Sequence, residues 1–160
     1  MEYERLTWPT VRDFPKEHTV VIIPTGAIEQ HGPHLSMATD TVLVTEVARR
    51  AADRTRGRAE VLVTPTFWSG CSEHHMEFSG TLTLSVETFV RAVTEIGLAV
   101  VTHGFRRLLI LNGHGGNTEP VRIAARAIRE SGGGKVFVAA ANYWQFALGE
   151  IQSIRESGPG

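Results

Sequence analysis

Four short runs of aliphatic and β-branched residues constrain this chain more than any other feature: TVVIIPT (19–25), EVLVTPT (60–66), RLLILN (107–112) and KVFVAAA (135–141). A strand with one wet face alternates apolar and polar residues, whereas continuous runs of this length suit strands buried on both faces. Between the runs lie helical spacings. Val42, Leu43, Val47 and Ala51 follow Asp40; Val86, Phe89, Val90, Val93, Ile96, Val100 and Val101 follow the cap candidate Ser85; Val121, Ala124, Ala127 and Ile128 follow Thr118. Pro120 falls in a first turn, where its missing N–H costs little, and SGGG (131–134) ends that helix. Strand alternating with helix predicts right-handed crossovers and an α/β fold with a mostly parallel sheet. With 160 residues, 42% of them apolar, the chain suits a single domain, 1–160, with a substantial core. The segment FWSGCSEHHMEFSGTLTL (67–84) is too long for a simple connection; its TLTL reads as a further short strand, and ordered loops of this length usually carry function.

Charge and cysteine usage exclude several classes. A net charge of -1 without a basic stripe argues against nucleic acid and against an anionic membrane surface. The lone Cys71 has no partner for an internal disulfide, and MEYERLTWPTVRDF lacks the apolar run of a secretory signal, so the expected location is the cytoplasm. No apolar stretch is long enough to span a bilayer.

The unusual polar clusters all follow strands. EQHGPH follows the first run, GCSEHH the second, NGHGGN the third and NYW the fourth. The carboxyl ends of parallel strands share one edge, where open α/β sheets bind ligands, so Glu29, His31, Asp40, Glu73, His74, His75, His114, Asn117 and Trp144 can converge. Imidazoles and carboxylates gathered in this way suit a borderline divalent ion such as zinc. Glu29 and His31, two apart, share one side of an extended segment. Asp40 reads either as a helix cap or as a carboxylate bridging two metals. His114 is flanked by glycines that admit close approach. Glu73, His74 and His75 read as pocket groups, a base, or solvated surface. Cys71 reads as inert rather than as a nucleophile, and Trp144 as core or lid.

PTGAIEQHGPHLSMATD, GCSEHHMEFSGTLTL and LNGHGGN, in that order, resemble the motifs of the creatininase family of metal-dependent amidohydrolases. The resemblance implies a three-layer α/β/α fold assembled as a homo-hexamer. It also implies a centre of two divalent ions, zinc with manganese or iron as the other candidates, that hydrolyses a cyclic amide or related C–N bond of a small-molecule amide. Matched by motif, Glu29, His31, Asp40 and His114 are metal ligands, with Asp40 bridging, and Ser72, Asn117 and Trp144 lie on the substrate side. Two departures stand out. Gly116 occupies the place where creatininase itself carries a glutamate ligand, and the family continues past a stretch like the terminal SGPG into a segment with a histidine acid or base. The expectation is therefore a domain lacking the C-terminal part of the family fold, with Glu73, His74 and His75 left to move protons. The alternatives are a metal-binding protein without turnover and a peptidase or deformylase-type member.

Overall fold

All four apolar runs become strands of one sheet in the computed structural model, which describes residues 1–133 and 135–156. Strands β1 (Val20–Thr25), β2 (Val61–Val63), β3 (Arg107–Asn112) and β4 (Phe137–Asn142) lie in the order β2-β1-β3-β4, each neighbouring pair parallel. Helices α1 (Trp8–Asp13), α2 (Thr39–Arg54), α3 (Val86–Thr102), α4 (Thr118–Ser131) and α5 (Leu148–Ile154), with short 3-10 turns at Tyr3–Arg5, Glu73–His75, Gly115–Asn117 and Tyr143–Phe146, complete the regular structure of the described residues. On one face of the sheet Val44, Ala48 and Ala52 of α2 pack with Ile22, Val63 and Leu111. On the other, Phe89, Val93 and Val100 of α3 and Val121, Ala124 and Ile128 of α4 close over Val21, Ile23, Leu108 and Ile110. Successive strand residues feed opposite clusters, which is why the runs are continuously apolar. The result is the three-layer α/β/α arrangement.

Local chemistry sets the boundaries. Ser85 caps α3, its Oγ accepting from the Thr88 amide at 3.3 Å. Pro24 is tolerated in a central strand because the ladder with β2 ends at the Ile22–Val63 pair. The outer edge of β2 is covered by the amino terminus, where the Val63 amide donates to the Met1 carbonyl at 2.9 Å.

Several expectations change. The run 60–66 gives only three strand residues, because Pro65 has no N–H to continue the ladder. TLTL forms isolated bridges, Ile28 with Leu82 and Gly70 with Thr83, and no strand. Asn117, and not Thr118, stands at the N-cap position of α4. On α2 the buried stripe is Val44, Ala48 and Ala52, while Val42 and Leu43 are 60% and 45% exposed. Counting large apolar residues missed a face built mainly of alanine, whose small side chains bring the helix close to the sheet.

Candidate metal centre

The site rests on three strand ends in register, Thr25, Asn112 and Asn142. Asn112 is fully buried and uses its whole amide: Nδ2 donates to the His114 carbonyl (2.6 Å) and to Asn142 Oδ1 (2.8 Å), and Oδ1 accepts from Thr25 Oγ1 (3.2 Å) and the His114 amide (3.1 Å). This network fixes the turn that presents His114. Sequence reasoning overlooked Asn112, although the run RLLILN carried the signal by ending in a polar residue.

Asp40 lies in the first turn of α2, whose N-cap is Ala38, so it does not cap the helix. Its two oxygens instead face different imidazoles, Oδ1 at 3.0 Å from His31 Nε2 and Oδ2 at 2.9 Å from His114 Nδ1. The far nitrogen of each ring faces a carbonyl: His31 Nδ1 lies 3.1 Å from the Glu29 carbonyl and His114 Nε2 lies 3.1 Å from that of Cys71. A ring N–H donated to a backbone carbonyl leaves the opposite nitrogen free as a ligand, the arrangement that orients metal-binding histidines. Glu29 completes the group, its Oε1 3.3 Å from His114 Nδ1.

Burial alone lifts the Glu29 carboxyl, but hydrogen bonds from His114 and Ser72 and the charge of His114 outweigh it, so its pKa falls below the ordinary range. Burial likewise opposes a charge on His114, yet the bonds to Asp40 and Glu29 prevail and raise its pKa to about 9. Among the described residues, Glu29 Oε2 is buried with no hydrogen-bond partner. A buried carboxylate oxygen left without a donor costs free energy unless a cation satisfies it. The donor atoms of Glu29, His31 and Asp40 lie within 4.8 Å of one another, as do those of Glu29, His74 and His75. A divalent ion therefore fits these residues.

The other expected residues are distributed as follows. Ser72 is fully buried behind the centre, its Oγ 3.4 Å from His114 Nε2. Asn117 is also fully buried, donating to the Gly26 carbonyl (3.0 Å) and accepting from the Cys71 amide (2.9 Å), so it ties two loops together and has no surface for a ligand. His74 stacks on His114 with ring centroids 5.8 Å apart, and against His75 at 4.4 Å. Glu73 is exposed, and its carboxylate makes no hydrogen bond among the described residues. Both Glu73 and His74 line an open groove of about 660 Å³ with Cys71, Leu84, Ser85, Val86 and Gly116. Trp144 is half-buried and stands edge-on to Tyr143, at 5.3 Å. Tyr143, which sequence reasoning passed over, is the neighbour that senses the centre: burial and then the charge of Asp40 push its phenol up.

Cys71 is buried, and burial followed by the charge of Glu87 pushes its thiol up, away from the thiolate a nucleophile needs. Its carbonyl, not its sulfur, meets the site. A Cβ at Gly116 would lie 2.2 Å from that carbonyl and 2.6 Å from His114 Nε2, so this position cannot hold a carboxylate ligand without displacing backbone.

The creatininase family model, described as creatinine amidohydrolase, matches residues 4–158. The mycofactocin precursor peptide peptidase of Mycobacterium ulcerans (strain Agy99) is 37% identical over 131 residues, covering 79% of this chain and 48% of the relative. The creatinine amidohydrolase of Pseudomonas putida is 34% identical over 136 residues, covering 79% and 51%. This chain thus spans about half the length of the curated relatives it matches. Solved creatininase structures in a manganese form and in a Zn-Zn form each superpose with a TM-score of 0.80 at 30% identity, covering 99% of this chain and 65% of theirs. With the family model matching nearly the whole chain and the fold shared with these solved structures, the chain belongs to the creatininase family of hydrolases.

Proposed function

We propose that this chain carries the metal-binding part of a hydrolase that cleaves a C–N bond of an amide with water, using Glu29, His31, Asp40 and His114 as ligands. The observation that carries the reading is the buried, unpartnered Glu29 Oε2 beside two histidines whose outer nitrogens are already spent on carbonyls. The separate imidazoles faced by the two Asp40 oxygens support a bridging role between two ions. Zinc is the first candidate, with manganese or iron the others. Bound there, such ions supply a water acidified to near neutrality and polarisation of the substrate carbonyl. The protein's own contribution is to hold the ligands rigid, to bury one side of the centre, and to present Glu73, His74 and His75 at the open side. The departing nitrogen needs a proton, and these three are the groups in the crevice placed to manage it.

The substrate is a small molecule or a peptide segment presenting an amide. One relative is named for a peptidase and another for creatinine, and the open groove beside His74 is roomy enough for either. Homo-oligomeric assembly, hexameric by family resemblance, belongs to the same reading. A metal-binding protein without turnover is the rival, and metal analysis combined with an amidase panel separates the two. The purified protein, reconstituted with zinc or manganese, should hold metal, and His31→Ala should lose it by roughly 100-fold or more in affinity, since even removing an outer-shell partner costs 10–100-fold. A wild type that binds neither zinc, manganese nor iron would end this proposal.

A further inference from the structure

Gln30 lies between Glu29 and His31 in sequence, and its amide reaches two residues outside the set Glu29, His31, Asp40 and His114. Its Oε1 accepts from the Gly32 amide at 2.8 Å, and its Nε2 lies 3.4 Å from His75 Nδ1. Gly32 sits at φ +74°, a conformation that glycine adopts at no steric cost, and the turn folds its N–H back toward Gln30. A backbone N–H only donates, so the oxygen of the Gln30 amide must face Gly32; the reverse orientation would set N–H against N–H. The NH₂ arm is then committed to His75. That group also only donates, so His75 Nδ1 must offer a lone pair, and the ring proton resides on Nε2.

We propose that Gln30 is a positioning residue which, through its NH₂ arm on His75 Nδ1, turns the imidazole so that Nε2–H faces the centre, and that this N–H donates to an oxygen atom of the bound substrate rather than the ring ligating metal. The second half rests on the hydrolase reading above. Nearness alone would admit His75 to a metal group with Glu29 and His74, but a nitrogen that carries a proton has no lone pair for a cation. The remaining capacity is hydrogen-bond donation. Nε2 lies 3.8 Å from Glu29 Oε1, too far for a hydrogen bond, so among the described residues this N–H is unspent and faces the centre. The ring is held for the task. The His75 amide donates to the Ser72 carbonyl (2.9 Å), the Thr81 hydroxyl donates to the His75 carbonyl (2.9 Å), and Phe78 packs edge-on against the imidazole at 5.8 Å. A neutral imidazole serving as an electrophilic donor to a carbonyl is an established device in enzymes.

The test is histidine ¹⁵N NMR on the intact protein. His75 should show a lone pair on Nδ1 and a proton on Nε2, in metal-free and in zinc-loaded protein alike. Gln30→Glu keeps an oxygen for the Gly32 amide and places another at Nδ1, so it should move a proton onto Nδ1. A wild-type His75 protonated at Nδ1, or an Nε2 resonance that becomes zinc-bound, overturns the assignment. Metal content is the second readout: His75→Ala should keep the wild-type stoichiometry, and a loss of one ion per chain would mark His75 as a ligand. Acetate, a simple oxygen acceptor, should shift the His75 Nε2–H signal of the zinc-loaded protein; no shift at any acetate concentration removes the substrate-oxygen role. The tautomer is read without turnover, so absence of amidase activity would count against the hydrolase reading alone, and a ligand-type His75 in an active enzyme would count against this inference alone.

Discussion

His114 is caught between two demands, since it is buried and yet faces the carboxylates of both Asp40 and Glu29. Without metal those carboxylates hold a proton on the ring, and the pKa rises from 6.5 to about 9. A proton held more tightly in the folded state stabilises the fold fully below the unfolded value of 6.5, and that contribution fades as pH climbs through about 9. Glu29 acts in the opposite direction. Its lowered pKa adds stability above its ordinary value of 4.5, and this is lost as pH falls through the folded value. The chelator-treated protein should therefore be most stable between these limits, and should lose at most on the order of 3 kcal/mol between pH 6.5 and 10. Urea unfolding across that range checks it; a flat profile would mean that His114 is not protonated in the metal-free fold. Metal must displace the same proton, so below pH 9 the apparent zinc affinity should climb about tenfold per pH unit, as titration with a competing chelator would read.

At the scale of elements, the site is only as rigid as the strand ends beneath it. Asn112→Ala removes four hydrogen bonds at once and leaves the buried Thr25 hydroxyl and His114 amide without partners, while Asn142 Oδ1 keeps the Thr118 hydroxyl and the His114 carbonyl keeps the Asn117 amide. Each such group costs about 1–3 kcal/mol, so a loss of about 2–4 kcal/mol is expected once relaxation is allowed for, together with weaker metal binding. A variant as stable as wild type by thermal unfolding would show that Asn112 does not hold the turn. Gly116→Ala should also cost about 1–3 kcal/mol by forcing the Cys71 carbonyl away from His114. These two positions mark what the sequence made legible and what it hid. Strand runs, helix order and the convergence of Glu29, His31, Asp40 and His114 on one edge could all be read, because they follow from periodicity and from the shared direction of parallel strands. The Asn112 network and the Gln30–His75 contact could not, since each depends on which atoms of an amide face which neighbour. The same limit explains Asn117. Its place in NGHGGN suggested a ligand contact, whereas both its polar atoms are used to join the loops after β1 and β2.

At the scale of the whole molecule, the misplaced face of α2 becomes informative. Val42 and Leu43 are too large and too apolar to be idle, and they leave the core only because Val44, Ala48 and Ala52 occupy it. Near the start of the same helix stands Trp68, 51% exposed, whose carbonyl accepts from the Thr41 hydroxyl at 3.5 Å. Scattered apolar residues on a surface need no explanation, but three large ones around one helix turn form the kind of patch that self-association covers. Closed point-group assembly is the common outcome for soluble chains with such a patch, which agrees with the proposed homo-oligomer. Leu43→Glu changes nothing in the core or in the metal cluster, and adds a charge to the exposed surface. It should therefore shift the protein toward a smaller species by light scattering while leaving helical content and zinc stoichiometry as in wild type. A wild type that is strictly monomeric at high concentration would remove the assembly reading. A Leu43→Glu protein of unchanged size would move the interface elsewhere, and the exposed Phe137 on β4 would be the next residue to charge.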